Sequence, residues 1–134
     1  MTKRESLGQR LKRLRLERGL SQRELSSPGI SYAYISRIEA DARTPSVKAM
    51  RRIAGKLGVT VEHLETGVPT PTEIAVAEAG LDFGSLTRAE LSAIRAAAAK
   101  GAREGVLRAA KEVIEKRREA EVAELRKRLK DLGG

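Results

Sequence analysis

Tyr32, Tyr34 and Phe83 are the only aromatic side chains in 134 residues, so a folded core has to be assembled from Leu, Ile, Val and Ala. That palette suits helices, whose buried faces take aliphatic side chains at three- and four-residue spacing, and suits a β-sandwich poorly. No alternating run is long enough to compete, so the chain is expected to be all-α. Cysteine is absent and histidine occurs once, at His63. A disulfide framework, a thiol nucleophile, a thiolate zinc site and a histidine metal cluster are therefore excluded, and neither a cofactor nor a metal is expected. His63, between Glu62 and Glu65 on a short helix, reads as a surface residue.

The length fits one domain or a small module with an appendage. Charge locates the division. The chain carries 27 Lys and Arg against 18 Asp and Glu, a formal net charge of +9. Residues 1–66 hold 14 of the cations and 7 of the anions, whereas residues 67–134 hold 13 and 11. The surplus belongs to the first half and points to a polyanionic partner. Gly67, Pro69 and Pro71 interrupt the chain between the halves, giving expected domains 1–66 and 72–134 with a linker at 67–71. No apolar run approaches the roughly 20 residues that cross a bilayer, and the charged start does not resemble a signal peptide. The expected location is the cytoplasm, associated with the nucleoid, with no membrane partner.

Five short helices are legible in the first half. The first is expected from about Glu5 to Arg18, with Leu7, Leu11 and Leu14 inward, Thr2 and Glu5 as a capping box, and Gly19 as the stop. Ser21 and Glu24 form a second capping box before a very short helix holding Leu25. Pro28-Gly29 forces a turn. Ser31 caps a third helix, Ser46 a fourth that ends at Gly58, and Thr60 a fifth. Residues 21–39 are thus a helix, a glycine-containing turn and a helix, the arrangement whose second helix can enter a DNA major groove. With Ile35 and Ile38 directed inward, Tyr32, Ala33, Ser36 and Arg37 lie on the outer face. Arg37 has the fork geometry to bond guanine, Ala33 can pack on a thymine methyl, and Tyr32 offers a hydroxyl and a flat ring.

These residues carry a resemblance. Leu7-Gly8-x-x-Leu11-x-x-Leu14-Arg15, Gly19-Leu20-Ser21-Gln22-x-x-Leu25, Tyr34-Ile35-Ser36-Arg37-Ile38-Glu39, Thr44-Pro45-Ser46 and Leu57-Gly58-Val59 occur in order. Residues 7–66 resemble the lambda-repressor-like domain of the Cro/C1 (XRE) family of bacterial and phage regulators. The resemblance implies a five-helix DNA-binding domain with Ser31, Tyr32, Ala33, Ser36 and Arg37 facing bases. It also implies phosphate contacts from Gln22, Arg43, Thr44 and Ser46, and a structural ion pair between Arg15 and Glu39. One departure is visible: the stretch from Leu25 to Ile30 is about one residue short, with Pro28 where the family usually continues its second helix.

The second half reads differently. Thr70-Pro71-Thr72-Glu73 opens a helix that stops at Gly80, and Thr87 with Glu90 opens another. Nothing strongly ends the latter before Gly133, and if continuous it would extend roughly 65–70 Å at 1.5 Å per residue. Gly101 and Gly105 are the places where it could break or bend. Leu91, Ile94, Leu107, Ile114, Val122, Leu125 and Leu129 are its expected contacts with a second copy, because a helix so long cannot bury its own stripe. No catalytic constellation emerges, and the helical second half is too short for the β-rich protease of self-cleaving repressors. The expected function is a sequence-specific transcriptional regulator, commonly a repressor, binding a pseudo-palindromic operator as a homodimer. The alternative is an antitoxin-like module whose C-terminal helices hold a partner protein.

Overall fold

A computed structural model describes residues 4–133. These residues form eight α-helices: α1 (Leu7–Glu17), α2 (Gln22–Leu25), α3 (Tyr32–Glu39), α4 (Val47–Leu57), α5 (Val61–Thr66), α6 (Pro71–Glu78), α7 (Arg88–Ala99) and α8 (Arg103–Gly133). A 3-10 turn at Phe83–Ser85 precedes α7. The chain is all-α; among the described residues the β-type pairing is one isolated bridge, Ser27 with Ile30. It divides into two compact units, one through Glu73 and one from Ile74.

In the first unit, side-chain caps set the helix starts. Ser6, Ser21, Ser31, Ser46 and Thr60 each accept a hydrogen bond from the amide three residues on, and Gln9 and Glu24 return the bond to complete two capping boxes. The first of these corrects the sequence reading. The cap of α1 is Ser6 with Gln9, whereas Thr2 lies outside the described residues, and Glu5 instead accepts from Arg13 Nε and Nη2 at 2.7 and 3.0 Å. Gly19 ends α1 with φ +68, and the amides of Gly19 and Leu20 bond back to Leu16 and Arg15. Leu11, Leu14, Leu25, Ile30, Ile35, Ile38, Met50, Ile53, Leu57 and Leu64 fill one core with small residues between them. Burial of apolar area at these positions is the main force holding α1 to α5 together.

The first turn of α6 also belongs to this unit. Thr70 and Glu73 form the expected reciprocal cap. The same Glu73 carboxylate accepts from Thr60 Oγ1 at 2.6 Å and lies 2.8 Å from His63 Nδ1. His63 is therefore buried at 6% exposure rather than on the surface. Its neighbours Glu62 and Glu65 are exposed, and the partner that draws it inward lies ten residues further on. Burial pushes the Glu73 carboxyl up, but the bonds from Thr60, His63 and the Thr70 backbone outweigh it and hold the group below its ordinary value.

The second unit has its own core of Ala75, Val76, Leu81, Ile94, Val106, Ala110 and Val113. The expected long helix is two helices. Chain direction changes at Gly101, whose φ of +79 suits glycine, and α8 returns along α7, so that Arg117 reaches Glu90. Gly105 stays helical. This reversal overturns part of the expected intersubunit seam. Ile94 is fully buried, and Leu107 and Ile114 pack against the same core. Leu91 is half-buried on α7. Of the stripe expected to need a second copy, Ile94, Leu107 and Ile114 are thus covered within this chain. Val122, Leu125 and Leu129 remain exposed, at 40%, 50% and 69%.

Candidate nucleic-acid interface

The orientation of α3 is fixed from below. Ile35 and Ile38 are 0% and 1% exposed, and Ser31 Oγ accepts from the Tyr34 amide to define the start of the helix. Three residues apart, the two isoleucines leave Ser31, Tyr32, Ala33, Ser36 and Arg37 together on the open side, all exposed. The Ser31 hydroxyl accepts from the Tyr34 amide, which leaves its proton and a second lone pair for a ligand. Arg37 carries no ion pair among the described residues.

The turn that precedes α3 accounts for the shortened stretch. Ser27 and Ile30 exchange both backbone hydrogen bonds, at 2.9 and 2.8 Å, around Pro28-Gly29. Gly29 has φ +83, the requirement of a type II turn with proline before it. Arg52 of α4 donates to the Pro28 carbonyl at 2.5 Å. Proline thus ends α2 at Leu25 and replaces another helical turn with a tight reversal anchored from α4.

At the other end of α3, Arg15 makes a two-pronged contact with Glu39, Nε to Oε2 at 2.7 Å and Nη2 to Oε1 at 2.9 Å. Both side chains are buried. Arg15 also donates to the Leu20 carbonyl at 2.9 Å, and the bond to Glu39 raises its already high pKa. Gln22 Nε2 donates to Glu39 Oε1 at 3.2 Å. The Gln22 amide is therefore partly engaged inside the domain, at the start of α2.

Asp41, just past α3, takes the left-handed conformation with φ +58, a costly position for a residue with a Cβ. Its carboxylate offsets the strain by accepting from Ser6 Oγ at 2.7 Å and the Gly8 amide at 3.1 Å, at the start of α1. Past Asp41, the Arg43 guanidinium stands 5.2 Å from the Tyr34 ring centre. Tyr34 is half-buried, and its hydroxyl accepts from the Ser46 amide at 3.4 Å. Thr44 is exposed, and Ser46 Oγ caps α4. Arg43, Thr44 and Ser46 border a shallow hollow shared with Tyr34, Lys48 and Arg52.

The helix-turn-helix family matches residues 11–64. An uncharacterized HTH-type transcriptional regulator of Sinorhizobium fredii is 38% identical over 71 residues, covering 52% of this chain and 90% of the relative. The chain belongs to the XRE-type helix-turn-helix family of DNA-binding transcription regulators. A second relative, the immunity repressor protein of Bacillus phage phi105, is 39% identical over 60 residues. That match covers 44% of this chain and 42% of the phage protein. No solved structure gives a significant match.

Within this XRE-type domain the sequence reading leaves out three cations. Arg23 of α2 lies 4.5 Å from the Tyr32 ring centre, in range of a cation–π contact. Lys48 and Arg52 are the other two; they stand four apart on the outer side of α4, and that spacing is the signal that could have found them. Among the described residues no helix is long and apolar enough to cross a membrane, and no group of three His, Asp or Glu residues is placed to hold a metal ion.

Proposed function

We propose that this XRE-type protein is a sequence-specific repressor that binds a pseudo-palindromic operator as a homodimer, with α3 in the major groove. The observation that carries the reading is the two-sidedness of α3. Ile35 and Ile38 seal one face, while Tyr32, Ala33, Ser36 and Arg37 stand free on the other. A groove about 12 Å wide admits one such helix. Arg37 takes the base-reading role, with Ser31, Tyr32, Ala33 and Ser36 beside it. Gln22, Arg43, Thr44 and Ser46 contact phosphates, and the hollow bordered by Arg43, Lys48 and Arg52 supplies the positive charge that a backbone contact requires. The name of the phage relative favours repression over activation. The protein acts on the nucleoid in the cytoplasm.

Selection of bound duplexes from a random pool tests this. The expected result is two inverted half-sites whose centres lie about one helical turn or a multiple of it apart. Replacing Arg37 with Ala should erase the preference at one base pair per half-site, weakening specific binding by about 1–3 kcal/mol per contact. Equal affinity for unrelated duplexes, unchanged in that variant, would overturn the reading.

A further inference from the structure

From Arg118 to Gly133 every residue of α8 is exposed, and on this stretch Val122, Leu125, Leu129 and Leu132 repeat at three- and four-residue intervals. The spacing is that of positions a and d over two heptads, with β-branched Val122 at a and Leu125 at d. Glu121 and Arg128 then fall at g, and Glu119 and Arg126 fall at e. The upstream a and d places, Glu115 and Arg118, are charged and pair with each other in the same helix. The apolar seam therefore begins at Val122.

We infer that this segment pairs with the same segment of a second copy as a parallel, in-register, two-stranded coiled coil. The inference rests on the reading of the protein as a homodimer and specifies which surface joins the copies and in which direction. Charge decides the direction. In a parallel pair each g residue faces the e residue five positions on in its partner, which sets Glu121 against Arg126 twice, once on each side of the seam. In a fully overlapped antiparallel pair e faces e and g faces g. Arg126 would then lie beside its counterpart and Arg128 beside its own, placing like charges together on both sides. Glu121 and Arg126 form no ion pair within the chain among the described residues, whereas Arg128 is paired with Glu124 on its own helix. The two charges that a parallel partner would use are thus both free of ion pairs among the described residues.

The chain has no cysteine, so a single introduced thiol reports the pairing directly. Leu132→Cys places a thiol at d, where a parallel pair brings the two copies of the residue together and an antiparallel pair sets it opposite Val122. Air oxidation of the full-length variant at micromolar concentration should give a covalent dimer on non-reducing gels. Leu132→Cys and Val122→Cys variants that each stay monomeric, while the Val122→Cys/Leu132→Cys variant cross-links, would establish the antiparallel arrangement and overturn the proposal. A second measurement uses no thiol. Glu121→Arg should weaken self-association in sedimentation by about two- to ten-fold, and Glu121→Arg combined with Arg126→Glu should restore it. A protein that dimerises equally well with Leu125 and Leu129 both replaced by Lys would overturn this assignment and leave the operator reading standing. Loss of duplex preference without loss of the cross-link would do the reverse.

Discussion

A methyl group added at Gly8 would meet the backbone carbonyl oxygen of Glu39 at 2.8 Å and that of Ile38 closer still. Both belong to α3, so the α1–α3 crossing is set by the absence of a side chain here. At Gly55, within α4, an added methyl meets nothing within 4 Å. The two substitutions should therefore differ in sign. Gly8→Ala should destabilise by about 1–3 kcal/mol, because fixed backbone cannot move aside. Gly55→Ala should stabilise by about 0.5–1 kcal/mol through helix propensity alone. Urea titration of the two variants beside the parent measures both. Arg15→Ala leaves the buried Glu39 carboxylate with only the Gln22 amide and should cost about 3–5 kcal/mol in the same assay. Much of this was readable in the chain. The Arg15–Glu39 contact followed from the family resemblance, and the stops at Gly19 and Gly58 followed from residue type. Asp41 was not readable, because its left-handed conformation is compensated by Ser6 and Gly8, distant in sequence.

The helices of the first unit announce themselves because each opens on a Ser or Thr cap and most close on glycine, signals that are local. The α7–α8 reversal is less legible. Its glycine lies between two stretches of good helix formers, and whether the chain turns or continues depends on what Ile94 and Ala110 find to pack against. The pair Glu90 and Arg117 holds the two helices together across 27 residues. Arg117 first, and then the Thr87 amide, lower the Glu90 carboxyl to about 2 from an ordinary value of 4.5. An unfolded chain takes up this proton before the folded one does. The stabilisation is thus complete above pH 4.5 and fades as pH falls towards 2. Glu90→Gln should flatten that part of the stability profile, so that parent and variant converge in thermal melts as the acid limit is approached. A carbon NMR titration of the Glu90 carboxyl should find its midpoint far below the ordinary value of 4.5.

For the whole molecule, the uneven distribution of charge governs how binding responds to salt. The first unit has the cationic surplus and the proposed groove contacts, so affinity for any duplex should fall steeply as salt rises, with a logarithmic slope of about −0.9 for each phosphate neutralised. Arg43→Ala should reduce that slope by about one and leave base preference unaltered, whereas Arg37→Ala should alter preference. Filter binding over a range of potassium chloride concentrations separates the two. The placement of both tyrosines has an optical consequence. Tryptophan is absent and the chain's two tyrosines are Tyr32 and Tyr34, both on α3 and each beneath a guanidinium group. Under excitation in the tyrosine band, where Phe83 does not absorb, the emission of the native protein therefore arises from that single helix. It makes the molecule its own fluorescent reporter of the proposed groove binding, with the remainder of the chain dark in that band.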